Sequence, residues 1–94
     1  MKILFTTRSK SDIAETVVFI SQDDPQAAKK WADSIFESVK ALQDFPESGR
    51  IVPEYSEDTI REIIKGQYRI VYKINPHKEE IYIISVHHSK RLMI

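Results

Sequence analysis

Residues 59–74, TIREIIKGQYRIVYKI, decide the fold. β-Branched and aromatic residues fill both halves and Gly66-Gln67 interrupts them, so the stretch reads as two strands folded into a hairpin at the centre of a sheet. It also holds the densest run of cations beside large apolar residues, with Arg61, Lys65, Arg69 and Lys73 among Ile60, Ile63, Ile64, Tyr68, Ile70, Val71 and Tyr72. A functional site is sought here and on the strand that follows. The loop sets the faces. With an odd loop, Lys65 to Gln67, Arg61 faces Val71 and shares a face with Arg69. With the two-residue loop Gly66-Gln67, Arg61 faces Tyr72 on the opposite side. Sequence leaves both open.

Downstream, Asn75-Pro76-His77-Lys78-Glu79-Glu80 forms a turn, and IYIISVH, Ile81 to His87, is the last strand. Upstream, Glu47 to Glu54 contains Gly49 and Pro53 and follows Pro46. It reads as a loop that admits a short extended piece at Arg50 to Val52. Phe45-Pro46 ends a helix, because a residue before proline is pushed out of the α region. That helix opens at Asp24-Pro25, with Asp24 as N-cap and Pro25 where its missing N–H costs nothing. Its apolar stripe is Ala28, Trp31, Ala32, Ile35, Val39 and Leu42, and Trp31 reads as core rather than as a ligand platform. Before it, Ile13, Val17 and Ile20 mark a first helix capped by Thr7 or Ser9, with Asp12 near its positive end. MKILFT, residues 1–6, is a first strand whose place in the sheet the sequence does not give.

The order β-α-α-β-β-β predicts an α+β fold: an antiparallel sheet with an αα-hairpin on one face, as one domain over residues 1–94. At 94 residues and 41% hydrophobic the chain can bury one small core. With no cysteine, neither disulfides nor thiolate metal sites apply, and three histidines with His87 and His88 adjacent do not give a metal-site spacing. No metal or organic cofactor is implied. The longest apolar run, Val17 to Ile20, is too short for a signal peptide or a membrane span, so a cytoplasmic protein without membrane contact is expected. Net charge is zero, which argues against binding nucleic acid by bulk electrostatics. Residues 1–58 nevertheless carry seven Lys/Arg against eleven Asp/Glu, and residues 59–94 seven against three, giving −4 and +4. Either the halves attract each other or the sheet faces something anionic.

Several segments in this order and spacing, namely DIAETVVFI, DPQAAKKW, FPESGRIVPE, IRE at Ile60 to Glu62, YRIVY at Tyr68 to Tyr72 and VHHSKR at Val86 to Arg91, resemble a known family. They are similar to the toxins of bacterial type II toxin–antitoxin modules of the RelE/ParE superfamily, and closest to its ParE-like, plasmid-stabilisation branch. The resemblance implies the β-α-α-β-β-β toxin fold, growth inhibition, and a cognate antitoxin whose C-terminal segment wraps the toxin. Some members resemble ribosome-associated mRNA endoribonucleases, whereas the ParE-like branch poisons DNA gyrase.

The endoribonuclease alternative needs a base, an acid and cations on the pentavalent phosphate. The candidates are Arg69, His88, Arg91 and Arg61, with Arg69 where ribonuclease members carry a phosphate-contacting arginine. His87 and His88 point to opposite faces of a strand and cannot serve one site together. Arg69 has a structural alternative, tying sheet to loop through Glu54 or Glu62. Ile60 and Glu62 stand where the ribosome-dependent nuclease has catalytic lysines, and the sequence ends after KRLMI without the tyrosine tail of some nucleases. ParE-like gyrase inhibition is therefore favoured. A degenerate toxin retaining only antitoxin binding is a third reading. Phe19 and Phe36, beside the core stripes, are the candidate antitoxin contacts, and an acidic antitoxin tail is expected against the basic half.

Overall fold

The computed structural model describes residues 1–90. Its elements are β1 (Lys2–Phe5), α1 (Thr7–Ser21), α2 (Pro25–Ala41), β2 (Arg50–Ile51), β3 (Ile60–Lys65), β4 (Tyr68–Asn75) and β5 (Glu80–His88). The hairpin question is resolved by the pair Lys65–Tyr68, which makes Gly66-Gln67 a two-residue loop and sets Arg61 opposite Tyr72. Gly66 has φ +60° while Gln67 is not in the left-handed region, the arrangement of a type II′ turn, whose twist suits a hairpin. Arg61 and Arg69 thus lie on opposite faces.

The five strands run in the order β1-β5-β4-β3-β2. The extended piece upstream of the hairpin is the two-residue edge strand β2, antiparallel to β3. β1 joins parallel to β5, with Lys2 opposite Glu80 and Phe5 opposite Ile83, so the sheet is antiparallel except for this pair. A parallel neighbour needs a long crossover, and the intervening helices and hairpin provide it.

Both helices pack on one face. The main core combines Ile13 of α1, Ile35, Val39 and Leu42 from α2 and its end, and Ile70, Tyr72, Ile74, Ile81, Ile83 and Val86 of the sheet, with Val17 and Trp31 packed against it. The other face carries a smaller cluster, Val52, Ile60 and Val71, under the loop residue Tyr55. β5 changes parity on the way. Tyr72 pairs with Ile83 but Val71 pairs with Ser85, which leaves Ile84 as a bulged extra residue. Ile81 and Ile83 therefore share the helix-covered face with Val86 and His88, while His87 lies opposite Arg69 on the other face.

The helix ends differ in part from the sequence reading. Asp24 caps α2 as expected, its carboxylate accepting from the N–H groups of Gln26 at 3.0 Å and Ala27 at 3.2 Å. α1 is capped by Thr6, rather than by Thr7 or Ser9. The Thr6 hydroxyl accepts from the Ser9 N–H at 3.1 Å and donates toward the carbonyls of Ile83 at 2.9 Å and Ile84 at 3.0 Å. Only the residue that closes β1 can reach β5, so a tertiary contact selects the cap. α2 stops at Ala41, a turn before Phe45-Pro46, through tight turns at Gln43 and Asp44. Asp12 binds the sheet: its Oδ2 accepts from the Val86 N–H at 2.9 Å, covering β5 where β1 has ended.

Candidate functional site

On the face away from the helices, Glu62 is the centre of a charged cluster. Its side chain has no solvent exposure. It accepts from Arg69 Nε at 2.6 Å and from Arg50 Nε at 2.5 Å, one cation on each oxygen. Arg69 Nη2 also reaches Glu54 at 3.0 Å. The strand pairing explains the arrangement, since Glu62 lies directly across from Arg50 and, on the same face, two residues from Ile64, which is opposite Arg69. Burying a carboxylate here is tolerable only because both oxygens receive charged donors. Burial opposes the charge on Arg69, but the bonds from Glu54 and Glu62 outweigh it and hold its pKa above the ordinary arginine value. The Arg69 bond in turn holds the Glu54 carboxyl below its usual range. Arg69 is thus doubly committed, with Nε and Nη2 both turned to carboxylates. Both structural partners proposed for it, Glu54 and Glu62, are engaged together.

Across the sheet, Arg61 serves the loop that precedes β2. Its Nη1 donates to the carbonyls of Gly49 at 3.0 Å and Glu47 at 3.3 Å. The buried Tyr72 hydroxyl donates to the Pro46 carbonyl at 2.7 Å and accepts from the Gly49 N–H at 2.9 Å. Burial pushes its phenol above the ordinary value of 10. Gly49 is where backbone meets sheet: a Cβ there would lie 2.6 Å from the Tyr72 oxygen and 2.7 Å from the Glu62 carbonyl. The FPESGR segment is therefore a fastened loop with Phe45 exposed at its start.

His88 lies at the far end of the helix-covered face. The Lys90 N–H donates to its Nδ1 at 3.2 Å, so Nε2 bears the proton in the neutral ring and faces Gln67 Oε1 at 3.2 Å. Tyr68 packs edge-on against His88 at 5.4 Å and against Trp31 at 5.1 Å. The strand partners of Arg61 and His88 in β4, Tyr72 and Tyr68, are four residues apart, about 13 Å. Of the four candidate ribonuclease residues, Arg69 is on one face, Arg61 and His88 are at separate ends of the other, and Arg91 lies outside the described residues. The three described candidates are not gathered at one point.

A cleft of about 340 Å³ opens between α1 and the paired ends of β4 and β5, lined in part by Asp12, Glu15, Phe19, Tyr68 and His88. Phe19 on its rim is 71% exposed. Phe36 is 47% exposed and packs edge-on against Phe5 at 5.8 Å. Sequence reasoning missed this cleft: it read Asp12 only as a charge near the positive end of the first helix, whereas the residue lies beyond the first turn of α1 and binds β5. The anchoring by Tyr72 was hidden for a different reason: an aromatic in a strand looks like core whether or not its hydroxyl holds a loop.

Solved structures with this architecture include a chromosomal ParDE system from P. aeruginosa, at TM-score 0.76 and 19% identity over 96% of this chain and 97% of the other. The RelBE2 toxin–antitoxin complex of Mycobacterium tuberculosis matches at TM-score 0.64 and 20% identity, covering 93% and 95%. The isolated E. coli RelE toxin matches at 0.60 and 16%, covering 97% and 86%. At such identities these likenesses speak for the fold. No curated protein sequence matches the chain. The family model of the ParE toxin of the type II toxin–antitoxin system parDE matches residues 3–93, nearly the whole sequence. With the fold and this match in agreement, the chain belongs to the ParE toxin family of type II toxin–antitoxin systems.

Proposed function

We propose that the chain is a growth-inhibiting toxin, neutralised by a cognate antitoxin, that acts on DNA gyrase rather than by cutting mRNA. The observation that carries the choice of target is the Arg50–Glu62–Arg69–Glu54 cluster. A ribonuclease needs free cations where charge develops on phosphorus. Here the arginine in the best position for that task is neutralised by a buried carboxylate and a second acid, and the other described candidates, Arg61 and His88, lie on the opposite face. A toxin that works by occupying a protein target has no such requirement. Antitoxin contact is assigned to Phe19 and Phe36, both exposed on the helices.

Two assays test the reading: growth after induction of this chain alone, and supercoiling by purified gyrase with the protein added. Arrest with supercoiling blocked, or with cleaved gyrase–DNA complexes trapped, is the expected result. Intact supercoiling together with mRNA cleavage in a translating extract, abolished by Arg69→Ala, overturns it in favour of the nuclease. Unimpaired growth identifies a degenerate toxin.

A further inference from the structure

We propose that the cleft between α1 and the ends of β4 and β5 receives one basic side chain, arginine or lysine, from the docking segment of the antitoxin. The identity of the partner rests on the reading above; the preference for a cation stands on the cleft itself. A volume of about 340 Å³ accommodates a guanidinium and its alkyl stem. Asp12 and Glu15, three residues apart on one helix face, line the same wall. Asp12 is fixed in place because Oδ2 holds the Val86 N–H, and its other oxygen has no partner among the described residues. Neither acid forms an ion pair among the described residues.

The rest of the lining suits the stem. Tyr68 is held between Trp31 and His88, and Phe19 is an exposed ring at the rim. Rings beside a carboxylate pair bind a cation through their faces and pack its methylenes. An anionic ligand would meet two carboxylates. Two histidines, His87 and His88, also line the cleft, and His88 turns Nδ1 to the Lys90 N–H as an acceptor. A purely apolar occupant would cover both acids and leave them uncompensated.

The test is an NMR titration of the ¹⁵N-labelled protein with the capped peptide acetyl-Leu-Arg-Leu-amide and with its citrulline counterpart, which keeps the shape but not the charge. The expected result is saturable shifts at the amides of Glu15, Thr16, Phe19 and Tyr68, with binding weakened about tenfold by citrulline and by a similar factor in Glu15→Gln. Glu15 is exposed and its side chain makes no hydrogen bond among the described residues, so the variant keeps the fold. Glu37→Gln on α2, away from the cleft, should bind as the unaltered protein does. Equal binding of the two peptides, no saturable shift at these amides, or unchanged affinity in Glu15→Gln overturns the proposal. The growth assay separates this from the toxin reading. Arginine-selective binding without arrest refutes the toxin alone, whereas arrest with a charge-indifferent cleft refutes the cleft alone.

Discussion

Tyr72→Phe removes one oxygen and should cost more than its single atom suggests. The hydroxyl lies in a fully buried residue and makes two bonds, to the Pro46 carbonyl at 2.7 Å and from the Gly49 N–H at 2.9 Å. Gly49 is buried and its amide donates to this hydroxyl, so it loses that partner. One ordinary hydrogen bond plus one orphaned buried donor sum to about 2–3 kcal/mol. In a domain of this size each kcal/mol moves the midpoint by about 4–8 °C, so a fall of about 10–20 °C is expected by calorimetry. Hydrogen exchange should also quicken at Gly49 before it does in β4 and β5. A fall under about 4 °C would refute the view that this hydroxyl fastens the loop. Gly49→Ala supplies the control. Its Cβ would meet the Glu62 carbonyl at 2.7 Å as well as the phenol, so the substitution should still cost about 1–3 kcal/mol in the Tyr72→Phe background. Near-neutrality there would mean that the phenol alone crowds the site.

Four further outcomes follow from the geometry. Glu62→Ala strands two arginines; because Arg50 is 66% exposed and Arg69 keeps Glu54, the cost should be about 2–3 kcal/mol rather than the full value for a buried pair, read as a lowered urea midpoint. The Glu54 carboxyl is held below its ordinary 4.5 in the folded state, so the folded chain binds the proton less readily than the unfolded one. Its contribution is therefore present above pH 4.5 and lost as pH falls through the lowered value, and the stability gap between wild type and Glu54→Gln should be constant at neutral pH and close in acid. Asp24→Ala frees the first amides of α2 and should cost about 1 kcal/mol in chemical denaturation, with a cost near zero counting against the cap. Glu79 has φ 53°, so Glu79→Gly should stabilise the β4–β5 turn by about 0.5–1 kcal/mol, and a loss of stability would contradict that account.

What the sequence could determine was local. Asp24-Pro25 starts a helix wherever it is placed, because the cap is made within three residues. The stripe from Ala28 to Leu42 states which side of that helix is buried, and the alternation in 59–74 states that two strands meet at Gly66. The order of motifs places the family. What only the tertiary structure decided depends on partners far apart in the chain. The parallel pairing of β1 with β5 joins residues nearly eighty positions apart, and nothing local encodes its direction. The bulge at Ile84 is invisible in IYIISVH, yet it decides that His87 joins Arg69 while His88 faces the helices. The choice of Thr6 over Thr7 or Ser9 waited on β5, since several hydroxyls can accept an amide proton and only one also reaches two carbonyls across the sheet. Glu62 became buried only when β2 and β4 brought an arginine to each side of it, a burial whose cost no single strand could offset by itself.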